Sequence, residues 1–230
     1  SDVYKRQVLM SDGVIYAGEG ELMNLSWTWN EMAEYTLKCT KNTLSASRLT
    51  VLLSDLCNEL YAHRPGDDTT IAVMRVINRK IVNIFTGPPK SKDDDERMVR
   101  EFMSEEGTKV VSGGTSANIM ARVLQKNIVT SVNYQDSSVP PTAAIEGLDL
   151  VTEGVLTLGK ALKLLKKYER DDFDVEFFDE LDADNGASRL ARLLIEECTD
   201  IHLFVGTATN EAHQNSNLPF DLSLIHISEP

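Results

Sequence analysis

From residue 80 to residue 205 the chain alternates between short apolar runs and longer amphipathic stretches, with glycines at the joints. The apolar runs span residues 80–85, 109–112, 127–132, 147–152 and 201–205. They are too short for helices and rich in β-branched residues, so they read as strands. Between them lie a charged helix over residues 92–106 and a helix opened by Gly113-Gly114-Thr115-Ser116 that carries Ile119, Met120, Val123 and Leu124. A third helix runs from Glu153-Gly154 through Tyr168, and a fourth over residues 187–198. Strands alternating with helices, with glycine at the strand-to-helix turns, predict a mostly parallel α/β layer. Residues 171–184 are acidic and interrupted, and read as a solvated face.

Residues 8–79 have a different rhythm. A short strand at residues 8–10 delivers Ser11-Asp12-Gly13 to its carboxyl end and continues over residues 14–16, before a turn at Gly18 to Gly20. Residues 27–40 and 45–63 read as helices; in the second, Leu49, Leu52, Leu53, Leu56, Cys57 and Leu60 share one face. Pro65-Gly66 ends it. Residues 69–77 are β-rich, and Asn78-Arg79 leads to the strand at residues 80–85.

Charge divides the chain. The sequence holds 36 acids and 23 Lys and Arg residues, a net −13. Residues 1–89 carry 10 of those acids and 9 of those bases, and residues 90–230 the other 26 and 14. The shift predicts a boundary near Pro88-Pro89. A net −12 also argues against nucleic-acid binding by the second part, because contact with phosphates needs a basic face. No apolar run approaches the roughly 20 residues of a membrane helix, and no signal peptide is expected. Cys39, Cys57 and Cys198 are odd in number and far apart, which fits free thiols and a cytoplasmic setting.

Both ends read as foreign. Ser-Asp-Val-Tyr-Lys-Arg-Gln at residues 1–7 and Leu-Ser-Leu-Ile-His-Ile-Ser-Glu-Pro at residues 222–230 resemble the two strands of a sequencing adapter translated in frame. The expected organisation is therefore an artefact at 1–7, one domain at 8–89, an acidic α/β domain at 90–221 and an artefact at 222–230. The chain is expected to be a fragment, with N-terminal catalytic residues missing.

Two carboxylate motifs carry chemistry. Met10-Ser11-Asp12-Gly13-Val14 puts an aspartate at a strand end, and Gly66-Asp67-Asp68-Thr69-Thr70 puts two at a strand start. Hard divalent cations such as Mn²⁺ and Mg²⁺ prefer carboxylate oxygens. Two such metals sharing a water generate a nucleophile at neutral pH and clamp a phosphoryl group. Each motif alone is an ordinary turn or cap.

Their order and the text between them resemble the C-terminal half of metal-dependent protein phosphatases, of the type 2C-like group and, more closely, the bacterial sporulation stage II protein E (SpoIIE) type. The resemblance implies part of a phosphatase β-sandwich and a signalling role. It also implies hydrolysis of phosphoserine and phosphothreonine in a phosphoprotein partner by metal-activated water. Asp12 and Asp67 take the positions of metal ligands, with Gly13 and Asp68 beside them, and two Mn²⁺ or Mg²⁺ ions are the implied cofactors. The family's other Asp-Gly motif, whose aspartate bridges both metals, has no counterpart here. Two carboxylates hold a metal weakly, so the chain as it stands is expected to be inactive.

From about Lys90 onward the resemblance is to a C-terminal extension of clostridial phosphatases of this type. Its loops at residues 87–89, 112–116, 152–154 and 206–210 are small and polar, and a glycine-bearing helix N-terminus suits an anion. Gly113, Gly114, Thr115, Ser116, Glu153 and His213 are the candidates for binding a small anionic ligand. No nucleotide fingerprint is present. His202 reads as packed in a strand, and His63 as closing a helix, where a cation suits the dipole. The alternative to a phosphatase is a non-catalytic binding module whose α/β domain takes a small anion or docks a partner protein.

Overall fold

The computed structural model describes residues 6–19, 27–42, 45–130, 142–171 and 173–208. In chain order the elements are β1 (Arg6–Met10), a 3₁₀ turn (Asp12–Val14), α1 (Trp29–Asn42), α2 (Ala46–Leu60), β2 (Ile71–Arg75) and β3 (Ile81–Thr86). A 3₁₀ turn (Lys92–Asp94) then leads into α3 (Asp95–Ser104), β4 (Thr108–Ser112), α4 (Gly114–Leu124), β5 (Val129–Thr130) and β6 (Ala143–Ala144). β7 (Leu150–Thr152), α5 (Val155–Glu169), α6 (Val175–Leu181), α7 (Gly186–Arg192), a π-helical turn (Leu193–Glu197) and β8 (Asp200–Val205) complete the order. The fold is α/β.

The chain forms two compact units, Ser1–Asn78 with Lys167–Asp182, and Arg79–Lys166 with Ala183–Pro230. The division at Asn78 corrects the boundary expected at residues 88–89. The strand after Asn78-Arg79 looks continuous with the N-terminal part, but β3 pairs in parallel with β4 and β8 and belongs to the second unit's sheet. Charge shifts about ten residues later than the fold does.

In the first unit β1 and β2 form an antiparallel ribbon, with Arg6 opposite Arg75 and Met10 opposite Ile71. The strand thus begins at Arg6, inside the segment read as foreign. Strand alternation turns Val8, Met10, Ile71 and Val73 toward the core. That core is closed by Met32 of α1 and by Leu49, Leu53 and Cys57 of α2. Thr28 and Glu31 form a capping box: the Thr28 N–H donates to the Glu31 carboxylate at 2.6 Å and the Glu31 N–H to the Thr28 hydroxyl at 3.3 Å. Ser45 caps α2 by accepting from the Arg48 N–H at 3.4 Å. After Met10 the strand does not continue through residues 14–16. The Ile15 and Tyr16 N–H groups both donate to the Asp12 carbonyl, closing a tight turn that buries Val14.

Residues 171–184 are more than a solvated face. Asp174 caps α6 by accepting from the Phe177 N–H at 2.8 Å, and Phe177, Phe178 and Leu181 are buried. α6 packs on α2. Arg48 lies 4.8 Å from the centre of the Phe178 ring and donates to both Asp182 carboxylate oxygens at 2.6 and 2.7 Å. Asp, Glu and Phe alternate irregularly here, and the acids mask a short amphipathic helix.

The second unit is a six-stranded mixed sheet in the order β5-β6-β7-β4-β3-β8, in which β7, β4, β3 and β8 run parallel. Phe85, Val111, Val151 and Phe204 point to one face and pack against Val99 and Phe102 of α3 and Ile119 and Met120 of α4. α7 packs against β7. A Cβ on Gly186, its first residue, would lie 3.1 Å from the Thr152 Cγ2.

Candidate functional site

The antiparallel register of β1 and β2 puts the residues after Met10 and those before Ile71 at the same end of the ribbon. Ser11 joins them. Its N–H donates to the Thr70 carbonyl at 3.0 Å, and its hydroxyl accepts from the Thr70 N–H at 2.9 Å and donates to the Asp68 carbonyl at 3.0 Å. Gly13 follows against the same loop. A Cβ there would stand 2.5 Å from the Asp68 carbonyl oxygen and 3.1 Å from the Thr69 hydroxyl, so only glycine fits.

The carboxylates crown this junction. Asp12, Asp67 and Asp68 are exposed. One Asp67 oxygen accepts from the Asp68 N–H at 2.8 Å. The Thr69 hydroxyl donates to the Asp67 carbonyl at 3.2 Å. Tyr61, buried just past the end of α2, donates its hydroxyl to the Gly13 carbonyl at 2.7 Å. Its phenol titrates above the ordinary value. Burial is the main cause, a hydrogen bond with Thr69 works against it, and the Asp67 and Asp12 carboxylates add to it. Nothing in the sequence singled out Tyr61; the available signal was a tyrosine five residues before Gly66, where α2 must turn into the Asp67 loop.

Exposed carboxylate oxygens at one strand end are the donor type for Mg²⁺ or Mn²⁺. The number of donors falls short: among the described residues no group of three or more His, Cys, Asp or Glu side chains could hold a metal ion. Asp12 and Asp67 fit such a site in kind and supply only part of it.

In the second unit the parallel register aligns Val205, Thr86, Ser112 and Thr152 across four strands, so the small-residue loops that follow them share one sheet edge. Gly113, at φ 115°, is the N-cap of α4, and the Ala117 N–H donates to its carbonyl. Gly154 has the same place in α5, its carbonyl accepting from the Leu158 N–H. Gly114, Thr115 and Glu153 are exposed, and Ser116 is buried. The Ser112 hydroxyl donates to the Glu153 carbonyl at 3.1 Å and accepts from the Thr152 hydroxyl at 3.2 Å. His213 lies outside the described residues. His202 is half-buried, with its ring nitrogen 3.6 Å from a Glu105 carboxylate oxygen. His63 sits beyond the end of α2 with φ 59°. Its ring is 2.8 Å from the Asn58 amide and 3.4 Å from Glu59. Among the described residues no helix is long and apolar enough to cross a membrane.

The chain matches no protein-family model, no curated protein and no solved structure in the comparisons made.

Proposed function

We propose that the first unit carries two metal-binding carboxylates, Asp12 and Asp67, of a cytoplasmic, metal-dependent Ser/Thr protein phosphatase of the SpoIIE type. The observation that supports this most is the Ser11–Gly13 junction, which locks the Asp12 turn onto the Asp67-Asp68-Thr69-Thr70 loop. Two motifs 55 residues apart in sequence, each unremarkable alone, become one acidic corner. A Mg²⁺ or Mn²⁺ pair would supply there an activated water and a clamp on the phosphoryl group. The chain's own residues present the carboxylates, fix the loop that bears Asp67, and hold a hydrogen-bond donor, Tyr61, behind the Asp12 turn. With two carboxylates the affinity for metal is weak and the chain by itself does not hydrolyse phosphate esters.

The test is Mn²⁺ binding followed by electron paramagnetic resonance, together with hydrolysis of p-nitrophenyl phosphate. Weak Mn²⁺ binding that disappears in both Asp12→Ala and Asp67→Ala, without hydrolysis, supports the reading. Binding that neither substitution alters sinks it. Mn²⁺-dependent hydrolysis abolished by Asp12→Ala would keep the phosphatase and overturn the claim of inactivity.

A further inference from the structure

The geometry points to a binding site for a tetrahedral phosphoryl oxyanion at the carboxyl edge of the second unit's sheet, where the N-termini of α4 and α5 meet at Gly113 and Gly154. It is independent of the phosphatase reading. The two helices, of 11 and 15 residues, begin alike: glycine at the N-cap, hydroxyl residue at the third helical position. These are Gly113 with Ser116 and Gly154 with Thr157. The two glycines touch, since a Cβ on Gly154 would lie 3.4 Å from the Gly113 Cα.

A helix leaves its first N–H groups without intrahelical acceptors. Ser45, Asp174 and Asn185 supply a side-chain acceptor for that purpose in α2, α6 and α7. Glycine at the heads of α4 and α5 offers none. Each terminus carries roughly half a positive charge, so the pair presents about one unit of positive potential to an anion.

The second observation is independent of the termini. Ser116 and Thr157 are each 1 % exposed, and neither hydroxyl has a hydrogen-bond partner among the described residues. Burying an unpaired hydroxyl is unfavourable, so the Ser116 hydroxyl calls for an acceptor. The Ser116 hydroxyl is aimed at the junction, 3.4 Å from where a Gly113 Cβ would be. Gly114 has open space around it, with nothing within 4 Å of a Cβ. An oxyanion resting on Gly113, Gly114 and Gly154 would accept from first-turn N–H groups and from the Ser116 hydroxyl. Glu153 is the one formally charged residue in the loops at residues 112–116 and 152–154. The attraction is therefore that of backbone dipoles and hydroxyls. Free phosphate and the phosphate of a mononucleotide share this chemistry.

The experiment is calorimetric titration of the purified chain with inorganic phosphate and with AMP at constant ionic strength, in EDTA so that no metal site contributes. Binding of either is expected. AMP binding more tightly than phosphate identifies a nucleotide's phosphate, and equal or weaker binding identifies free phosphate; both support the site. Gly114→Asp places a carboxylate at the head of α4, where the helix tolerates it and an anion does not. It should weaken binding by about tenfold or more. Ser116→Ala should weaken binding several-fold while the unliganded protein melts no lower than the wild type, because the orphaned hydroxyl is gone. Asp12→Ala should bind as the wild type does. Absence of binding by both ligands, or unchanged affinity in Ser116→Ala and any folded Gly114→Asp protein, overturns the proposal.

Discussion

The Ser11 hydroxyl stands 3.0 Å from the Asp68 carbonyl and 2.9 Å from the Thr70 N–H, so one side chain both donates to and accepts from the loop that bears Asp67. Ser11→Ala removes both bonds at once. A cost of about 1–2 kcal/mol in urea unfolding is expected. Gly13→Ala is expected to cost about 1–3 kcal/mol, because the new methyl meets the Asp68 carbonyl and must push the loop away. Both variants should also bind Mn²⁺ more weakly than the wild type, although neither removes a carboxylate.

Tyr61→Phe keeps the packing of the α2 terminus and leaves the Gly13 carbonyl without its donor. The expected loss is about 1–3 kcal/mol near neutral pH. The pH dependence follows from the raised phenol. Tyr61 holds its proton more tightly when folded than at its ordinary value of 10.0. That contribution is fully present below about pH 10 and is lost as pH rises through the folded value. Urea midpoints measured from pH 8 to pH 11 should fall less steeply above pH 10 in Tyr61→Phe than in the wild type.

The α6 clasp gives a stability prediction that a solvated face would not. Phe177→Ala is expected to destabilise the first unit by about 3–5 kcal/mol by opening a cavity. Arg48→Lys keeps the charge and loses the two-point contact with Asp182 and the stacking on Phe178. It is expected to cost about 1 kcal/mol, less at high salt, given that half of Asp182 is in water. Unchanged urea midpoints in both variants would return residues 171–184 to the solvent.

Burial pushes the Cys57 thiol up to about 11. At pH 8 almost none of it is thiolate, the reactive form. A thiol reagent such as 5,5′-dithiobis(2-nitrobenzoic acid) should leave Cys57 unmodified in the native protein and label it only on unfolding. Mass mapping of the labelled cysteines checks this directly.

The second unit was the more legible in sequence because a parallel sheet writes its topology as alternation. The runs at β3, β4 and β8, and the glycines at Gly113 and Gly154, fall where the sequence puts them. Three things were hidden. The switch of β3 into the second sheet is set by its pairing with β4 and β8, partners that lie far from Asn78 in sequence. The amphipathic character of α6 was masked by its acids. The 3₁₀ turn at Asp12–Val14 was missed because Val14, Ile15 and Tyr16 favour strand, whereas the Asp12 carbonyl and the close approach of Gly13 to Asp68 favour a turn. Of the candidate site, Asp12 and Asp67 were legible from their motifs. Tyr61 and the bridging role of Ser11 depend on contacts 48 to 59 residues apart.

The clasp also sets an order of events at the ribosome. Arg48 and Asp182 are 134 residues apart, and everything between β2 and α6 must be made before the two meet. At about 5–20 residues per second, β1, α1, α2 and β2 are all synthesised roughly 5–20 s before α6. For that interval the face of α2 that receives Phe178 and Asp182 is bare, and it is then that a chaperone, or a neighbouring nascent chain, has access to it.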